Sequence, residues 1–201
     1  MKTASPARAA AAAVAVAGLL SLAAAMPGAA AQPGSAPRSA KAPVSQIEIV
    51  VGPQSGRGQL SQATCPASKR VLNGGFESTG FSQSGSGDPY DGVTANGPTL
   101  DGRGWVARLL TGTIRARAVC VPESQAPQAR GGPESTPHGE SAALCPGGTK
   151  AIAGGYVAKT WPKNNYGESL DDVFTNAPRG DGGGWSAKLF NGKVEARALC
   201  S

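Results

Sequence analysis

The sequence predicts an all-β protein built from two tandem, disulfide-closed antiparallel β units, sandwich-like or barrel-like, and three observations predict it. Residues 101–120 (DGRGWVARLLTGTIRARAVC) recur at 181–200 (DGGGWSAKLFNGKVEARALC), an offset of 80 residues that holds without a gap back to Cys65-Pro66 and Cys145-Pro146. Beyond residue 31 no long stretch keeps the 3.6-residue apolar period of a helix, while short runs broken by glycine and proline recur at close spacing. Each copy of the repeat also holds one pair of cysteines at the same spacing.

Residues 1–31 have the layout of a secretory signal peptide. Lys2 and Arg8 form a basic start, Ala9 to Ala25 is apolar apart from Gly18 and Ser21, and Ala29-Ala30-Ala31 is a small-residue cleavage site. The apolar run is too short and wrongly flanked for a membrane span. The expectation is a secreted, extracellular protein with no membrane span, whose residues 32–45 are a Pro/Ala/Ser-rich disordered spacer. The leader holds two of the 19 basic residues and none of the 13 acidic ones, so the full-chain charge of +6 falls to +4 on its removal. No three basic residues are consecutive, which argues against the concentrated basic stripe of a nucleic-acid binder.

Residues 46–121 make the first β repeat. Gln46 to Val50 (QIEIV) alternates polar and apolar up to Gly52-Pro53, as a strand does, and a second strand leads into Cys65. Arg70-Val71-Leu72 and its counterpart Lys150-Ala151-Ile152 run into the glycine pairs Gly74-Gly75 and Gly154-Gly155. Paired glycines in a strand mark a bulge or a close backbone approach. Residues 77–90 and 157–170 differ most between the copies and read as long exposed loops. A short strand follows, with Asp91, Val93, Asn96 and Pro98 matched at Asp171, Val173, Asn176 and Pro178.

Each repeat then closes with a glycine-tryptophan hairpin. Asn191-Gly192, and more weakly Thr111-Gly112, have the composition of a two-residue type I′ turn. Such a turn sets Leu109 opposite Ile114, Ala107 opposite Ala116 and Trp105 opposite Ala118, with Leu189, Ala187 and Trp185 opposite Val194, Ala196 and Ala198. Strand parity places these residues on one face with Cys120 and Cys200. The expected core is therefore Trp105, Leu109, Ile114, Trp185, Leu189 and Val194, while Arg108, Arg115, Arg117, Lys188, Glu195 and Arg197 point outward. A register slip of one residue would bury arginines. Residues 122–139 hold four prolines and three glycines and read as a linker, and residues 140–201 make the second repeat. Ala126 to Arg130, the counterpart of the first strand, is not expected to form a comparable one.

Four cysteines in a secreted chain point to two disulfides. Counting leaves three connectivities, and the repeat selects Cys65–Cys120 and Cys145–Cys200. Each closure contributes about 4 kcal/mol through the unfolded state. There is no CxxC and His138 is the only histidine, so neither a metal site nor a cofactor is expected.

Cys-Pro, Gly-Gly-aromatic, Gly-Trp and Ala-x-Cys, in that order, resemble a module common in secreted proteins of Streptomyces and other actinobacteria. That module reads Cys-Pro-x-Gly, a run of glycines, a variable loop, Gly-Trp and Ala-x-Cys. The resemblance covers Gln46 to Ser201 in two copies; the second keeps Cys145-Pro146-Gly147-Gly148, while the first departs at Ala67-Ser68. It implies a secreted β module and brings no catalytic residue.

No catalytic constellation is legible. A Ser-His-Asp triad would depend on His138, and no Gly-x-Ser-x-Gly elbow is present. Nothing places two carboxylates across a cleft as glycoside hydrolysis requires. Asp88, Asp91, Asp101, Asp171, Asp172 and Asp181 lack the alternating-oxygen spacing of a calcium loop, and Asp-Gly is ordinary turn chemistry. The ligand-binding candidates are Phe81, Tyr90, Trp161 and Tyr166, aromatics in the variable loops that could stack on a sugar or a peptide. The expected function is a non-enzymatic extracellular binding module for cell-envelope glycan, polysaccharide or protein, acting through residues 77–90 and 157–170. The alternatives are a protease inhibitor presenting a disulfide-braced loop, a structural surface component without a discrete ligand, and a hydrolase.

Overall fold

A computed structural model describes residues 46–201 except Asp88 and Pro89. The signal-peptide and spacer expectations for residues 1–45 lie outside the described residues, as does Asp88. The described residues contain twelve β-strands, a short 3-10 turn at Glu123–Gln125 and no α-helix, and they belong to one compact unit. In the first repeat the strands are β1 (Glu48–Val51), β2 (Ser61–Thr64), β3 (Lys69–Gly80), β4 (Val93–Pro98), β5 (Gly104–Leu109) and β6 (Thr113–Pro122). In the second they are β7 (Gln128–Gly131), β8 (Glu140–Leu144), β9 (Ala151–Thr160), β10 (Val173–Pro178), β11 (Gly184–Leu189) and β12 (Lys193–Cys200).

All pairings are antiparallel. They form a three-stranded sheet β1-β6-β3, a second β10-β11-β8, and a six-stranded sheet β2-β5-β4-β9-β12-β7. In the first repeat, β2-β5-β4 covers β1-β6-β3; in the second, β8-β11-β10 covers β7-β12-β9. The six-stranded sheet arises because β4 pairs β9 across the repeats, with Ala95 opposite Val157 and Asn96 opposite Tyr156.

The expected hairpin is not formed. β5 bonds to β2 and β4, while β6 bonds to β1 and β3, so the turn between them is an arch from one layer to the other. Trp105, Ala107 and Leu109 of one layer meet Ile114, Ala116 and Ala118 of the other across the core, not side by side. Parity fixes which side of a strand faces inward and says nothing of its lateral neighbour. A type I′ turn also needs positive φ at both central residues, and neither Thr111-Gly112 nor Asn191-Gly192 has it. The turn amides go instead to carboxylates: Thr111 N donates to Asp91 Oδ1 (2.9 Å), and Asn191 N and Gly192 N donate to Asp171 Oδ1 and Oδ2 (2.7 and 2.6 Å).

Two further expectations are corrected. β7 lies inside the segment read as a linker and pairs β12, Gln128 opposite Cys200, as β1 pairs β6, Glu48 opposite Cys120. A backbone ladder needs only N–H and C=O groups, so the weakly apolar APQARG forms it without the alternation of QIEIV. Residues 77–80 and 157–160 belong to β3 and β9, so the variable loops run over 81–92 and 161–172.

Trp105, Leu109, Ile114, Leu189 and Val194 are buried, and Trp185 is partly exposed but packs on the second core cluster. The disulfides are Cys65–Cys120 and Cys145–Cys200, with Cα–Cα distances of 5.7 and 5.6 Å. Each indole has a fixed berth. A Cβ on Gly74 would enter the Trp105 ring, and one on Gly154 the Trp185 ring. Trp105 Nε1 donates to Asn96 Oδ1 (2.8 Å) and Trp185 Nε1 to Asn176 Oδ1 (2.7 Å). Where the short first strand of each repeat ends, buried serines take over. Ala116 N donates to Ser61 Oγ and Ala196 N to Ser141 Oγ, both at 2.9 Å.

The seam between the repeats is tight and partly charged. Tyr156 Oη donates to Val93 O (2.6 Å), and burial, then the Asp172 carboxylate, push the phenol pKa up, which keeps that donor proton in place. Arg108 donates from Nε to Thr94 Oγ1 (2.7 Å) and from Nη2 to Ala158 O (3.1 Å). Glu195 lies 2.5 Å from Lys159 Nζ and 2.8 Å from Arg197 Nε. The second approach falls outside hydrogen-bond angles, so it is an ion-pair contact only. Leu199 and Ala153 of the second repeat join the core cluster of the first.

Candidate functional site

The β4–β9 pairing carries the two variable loops to one place. Ser84, Ser86 and Tyr90 of the first loop and Glu168, Ser169 and Asp172 of the second line a single hollow of about 500 Å³, together with Asp91, Gly92 and Asp171. Both loops read from the sequence as the binding segments contribute to this one hollow, so the site is composite.

The loops are held locally in different ways. In the second, Asn164 Oδ1 accepts from Tyr166 N (2.9 Å) and Glu168 N (3.0 Å), while its Nδ2 donates to Glu168 Oε2 (2.6 Å). Gly167 supplies the left-handed step of that turn at φ 82°. Trp161 Nε1 donates to Ser169 Oγ (2.7 Å), which donates on to Asp171 O (2.6 Å). In the first, Ser84 Oγ and Ser86 Oγ lie 2.8 Å apart and Tyr90 N donates to Ser82 O (3.3 Å). Asp91 and Asp171 are occupied by the arch amides, which explains their match between the copies. Asp172 Oδ1 accepts from Val173 N (2.7 Å).

The four expected ligand-binding aromatics have separate fates. Tyr90 lines the hollow. Tyr166 stands at the loop tip, 87% exposed, and Phe81 is exposed where its loop begins. Trp161 lies in the seam: it packs on the second core cluster, and a Cβ on Gly92 would lie 2.7 Å from its Cζ2. The indole is half-buried there and lines a separate hollow of about 200 Å³ with Thr94, Arg108, Leu110 and Lys163. Sequence reasoning missed Ser84, Ser86, Glu168, Ser169 and Asp172, because nothing local distinguishes them until the loops converge.

His138 has φ 60°, the left-handed conformation that Gly58 takes (φ 66°) at the matching position, and its Nδ1 lies 2.5 Å from Phe190 O. Its place is a turn. Among the described residues no cluster of His, Cys, Asp or Glu could hold a metal ion. Compared with known protein families, curated proteins and solved structures, the chain matches none.

Proposed function

We propose that the protein is a secreted, non-enzymatic binding module that takes a saccharide chain of the cell envelope in the hollow between loops 81–92 and 161–172. The observation that carries the reading is convergence: the segments that vary most between the repeats line one hollow, and the segments that agree build the core. Sugars present arrays of hydroxyls that side-chain hydroxyls and carboxylates bond, and Ser84, Ser86, Glu168 and Asp172 supply both kinds. Tyr90 supplies the flat face on which a pyranose ring stacks. The carboxylates favour neutral or N-acetylated glycans over anionic polymers. The signal-peptide layout of residues 1–31 and the two disulfides support an extracellular setting.

Insoluble peptidoglycan, chitin and cellulose test the proposal by depletion of the protein from solution. Retention on at least one is expected, with Tyr90→Ala and Asp172→Asn each weakening it tenfold or more, about 1.4 kcal/mol. No retention on any, or a Tyr90→Ala variant retained like the parent, would sink it. One feature favours protease inhibition as the second reading: Tyr166 is 87% exposed on a loop whose backbone Asn164 holds. That reading requires stoichiometric inhibition of a protease, lost in Tyr166→Ala.

A further inference from the structure

The seam between the repeats joins two different surfaces. The first repeat contributes the edge of β4 and the outer face of β2-β5-β4; the second contributes the edge of β9 and the outer face of β7-β12-β9. Because the strands repeat, the molecule carries each surface once more. The edge of β10 and the outer face of β8-β11-β10 correspond to the first surface, and the edge of β3 and the outer face of β1-β6-β3 to the second. Among the described residues both edges lack a neighbouring strand.

The unpaired surfaces keep features that only a covered surface needs. Gly155 must be glycine, since a Cβ there would collide with the Asn96 carbonyl of β4. Its counterpart Gly75 is also glycine, yet a Cβ there would meet nothing within 4 Å. Phe76 is 39% exposed where Tyr156 is 3% exposed in the seam. Phe174 is 68% exposed on β10 where Thr94 is 1% exposed, and Ile49 is 67% exposed on β1 where Ala129 packs against the core. An edge strand flanked by such side chains is a template for pairing.

Charge agrees as well. Arg197 of the seam enters a hollow lined by Leu60, Leu100, Asp101 and Val106. The counterpart hollow is lined by Glu140, Gly180, Asp181 and Ser186, with Arg179 3.7 Å from Asp181. The counterpart of Arg197 is Arg117, which together with Arg115 stands on the outer face of β6, paired with Glu77. Asp101 and Asp181 match between the two hollows, but where the seam sets Leu60 beside Arg197, the free surfaces set Glu140 where Arg117 of the next molecule would come.

We infer that a second copy of this chain docks head to tail, β10 of one molecule pairing antiparallel with β3 of the next, Thr175 opposite Glu77 and Asn176 opposite Phe76. The interface is heterologous, so the assembly is a closed ring if the rotation between molecules closes and a filament if it does not.

Sedimentation velocity of the mature protein over a concentration series, with Gly75→Val and Phe174→Arg as variants, tests this. Gly75→Val blocks the β3 edge and leaves β10; Phe174→Arg blocks the β10 face and leaves β3. The parent should form species larger than a monomer as concentration rises, and each variant alone should stay monomeric with an unchanged melting temperature. An equimolar mixture should give a dimer and nothing larger, because each variant retains the surface the other lacks. If either variant melts early, the exposed Arg117→Glu replaces Gly75→Val and Glu140→Lys replaces Phe174→Arg. A parent that is monomeric at every concentration overturns the inference, as do variants that associate like the parent or a mixture that forms no dimer. Glycan retention and association are separate readouts, so failure of one leaves the other standing.

Discussion

Gly74 and Gly154 are alike in what they touch, each leaving room for the indole of its own repeat, whereas Gly75 and Gly155, one residue on, are not. Gly155 lies against the Asn96 carbonyl of the other repeat and Gly75 faces open space. The two halves are thus constrained in common inside each sandwich and differently on its outside. Inside each sandwich the same residues meet the same partners: disulfide, indole, amide and serine. On the outer faces, one copy of each surface is covered by the other repeat, and its twin faces outward. Glu195 is nearly buried between Lys159 and Arg197, while Arg115 occupies its place in the first repeat and is exposed.

Substitutions at matched positions should separate the two halves, all read as midpoints of denaturant unfolding. The largest effect is expected inside: Trp105→Ala should cost about 3–5 kcal/mol, and Trp185→Ala less, because Trp185 is partly exposed. Equal costs would mean that the second core is as closed as the first. Next, Gly155→Ala should cost about 2–3 kcal/mol by pushing β4 from β9, against less than about 0.5 kcal/mol for Gly75→Ala at concentrations where the protein is monomeric. Equal effects would show that the seam does not hold the repeats together. Glu195→Gln should cost about 2 kcal/mol, since it leaves Lys159 and Arg197 without their counter-charge, while the exposed Glu77→Gln should leave the midpoint nearly unchanged. Among the seam substitutions the smallest effect is that of Tyr156→Phe, about 1 kcal/mol for the bond to Val93 O.

Much of the interior was legible because parity and repetition are local. Alternation named the inward residues of β5 and β6, and the matched cysteine spacing selected the disulfides. The glycine pairs signalled close approach, which both members show in the second repeat and the first member shows in the other. The lateral order of the strands was not legible. Asn-Gly between two apolar runs has the composition of a hairpin turn, yet here a carboxylate twenty residues earlier takes the turn amides and the chain crosses between layers. β7 was hidden because its ladder is made by backbone while its side chains give almost no alternation. The composite hollow was hidden for a similar reason. It depends on β4 meeting β9, a contact between residues some sixty apart that neither loop records in its own sequence.

The proposed ligand site is shared by both repeats. It is tested most directly by titrating the isotope-labelled protein with a soluble N-acetylglucosamine oligomer and following backbone amide resonances. Amides of residues 81–92 and 161–172 should shift together along a single binding curve, with β1 and β7 unaffected. Shifts confined to one loop, two curves of different midpoint, or no shift in either loop would contradict it.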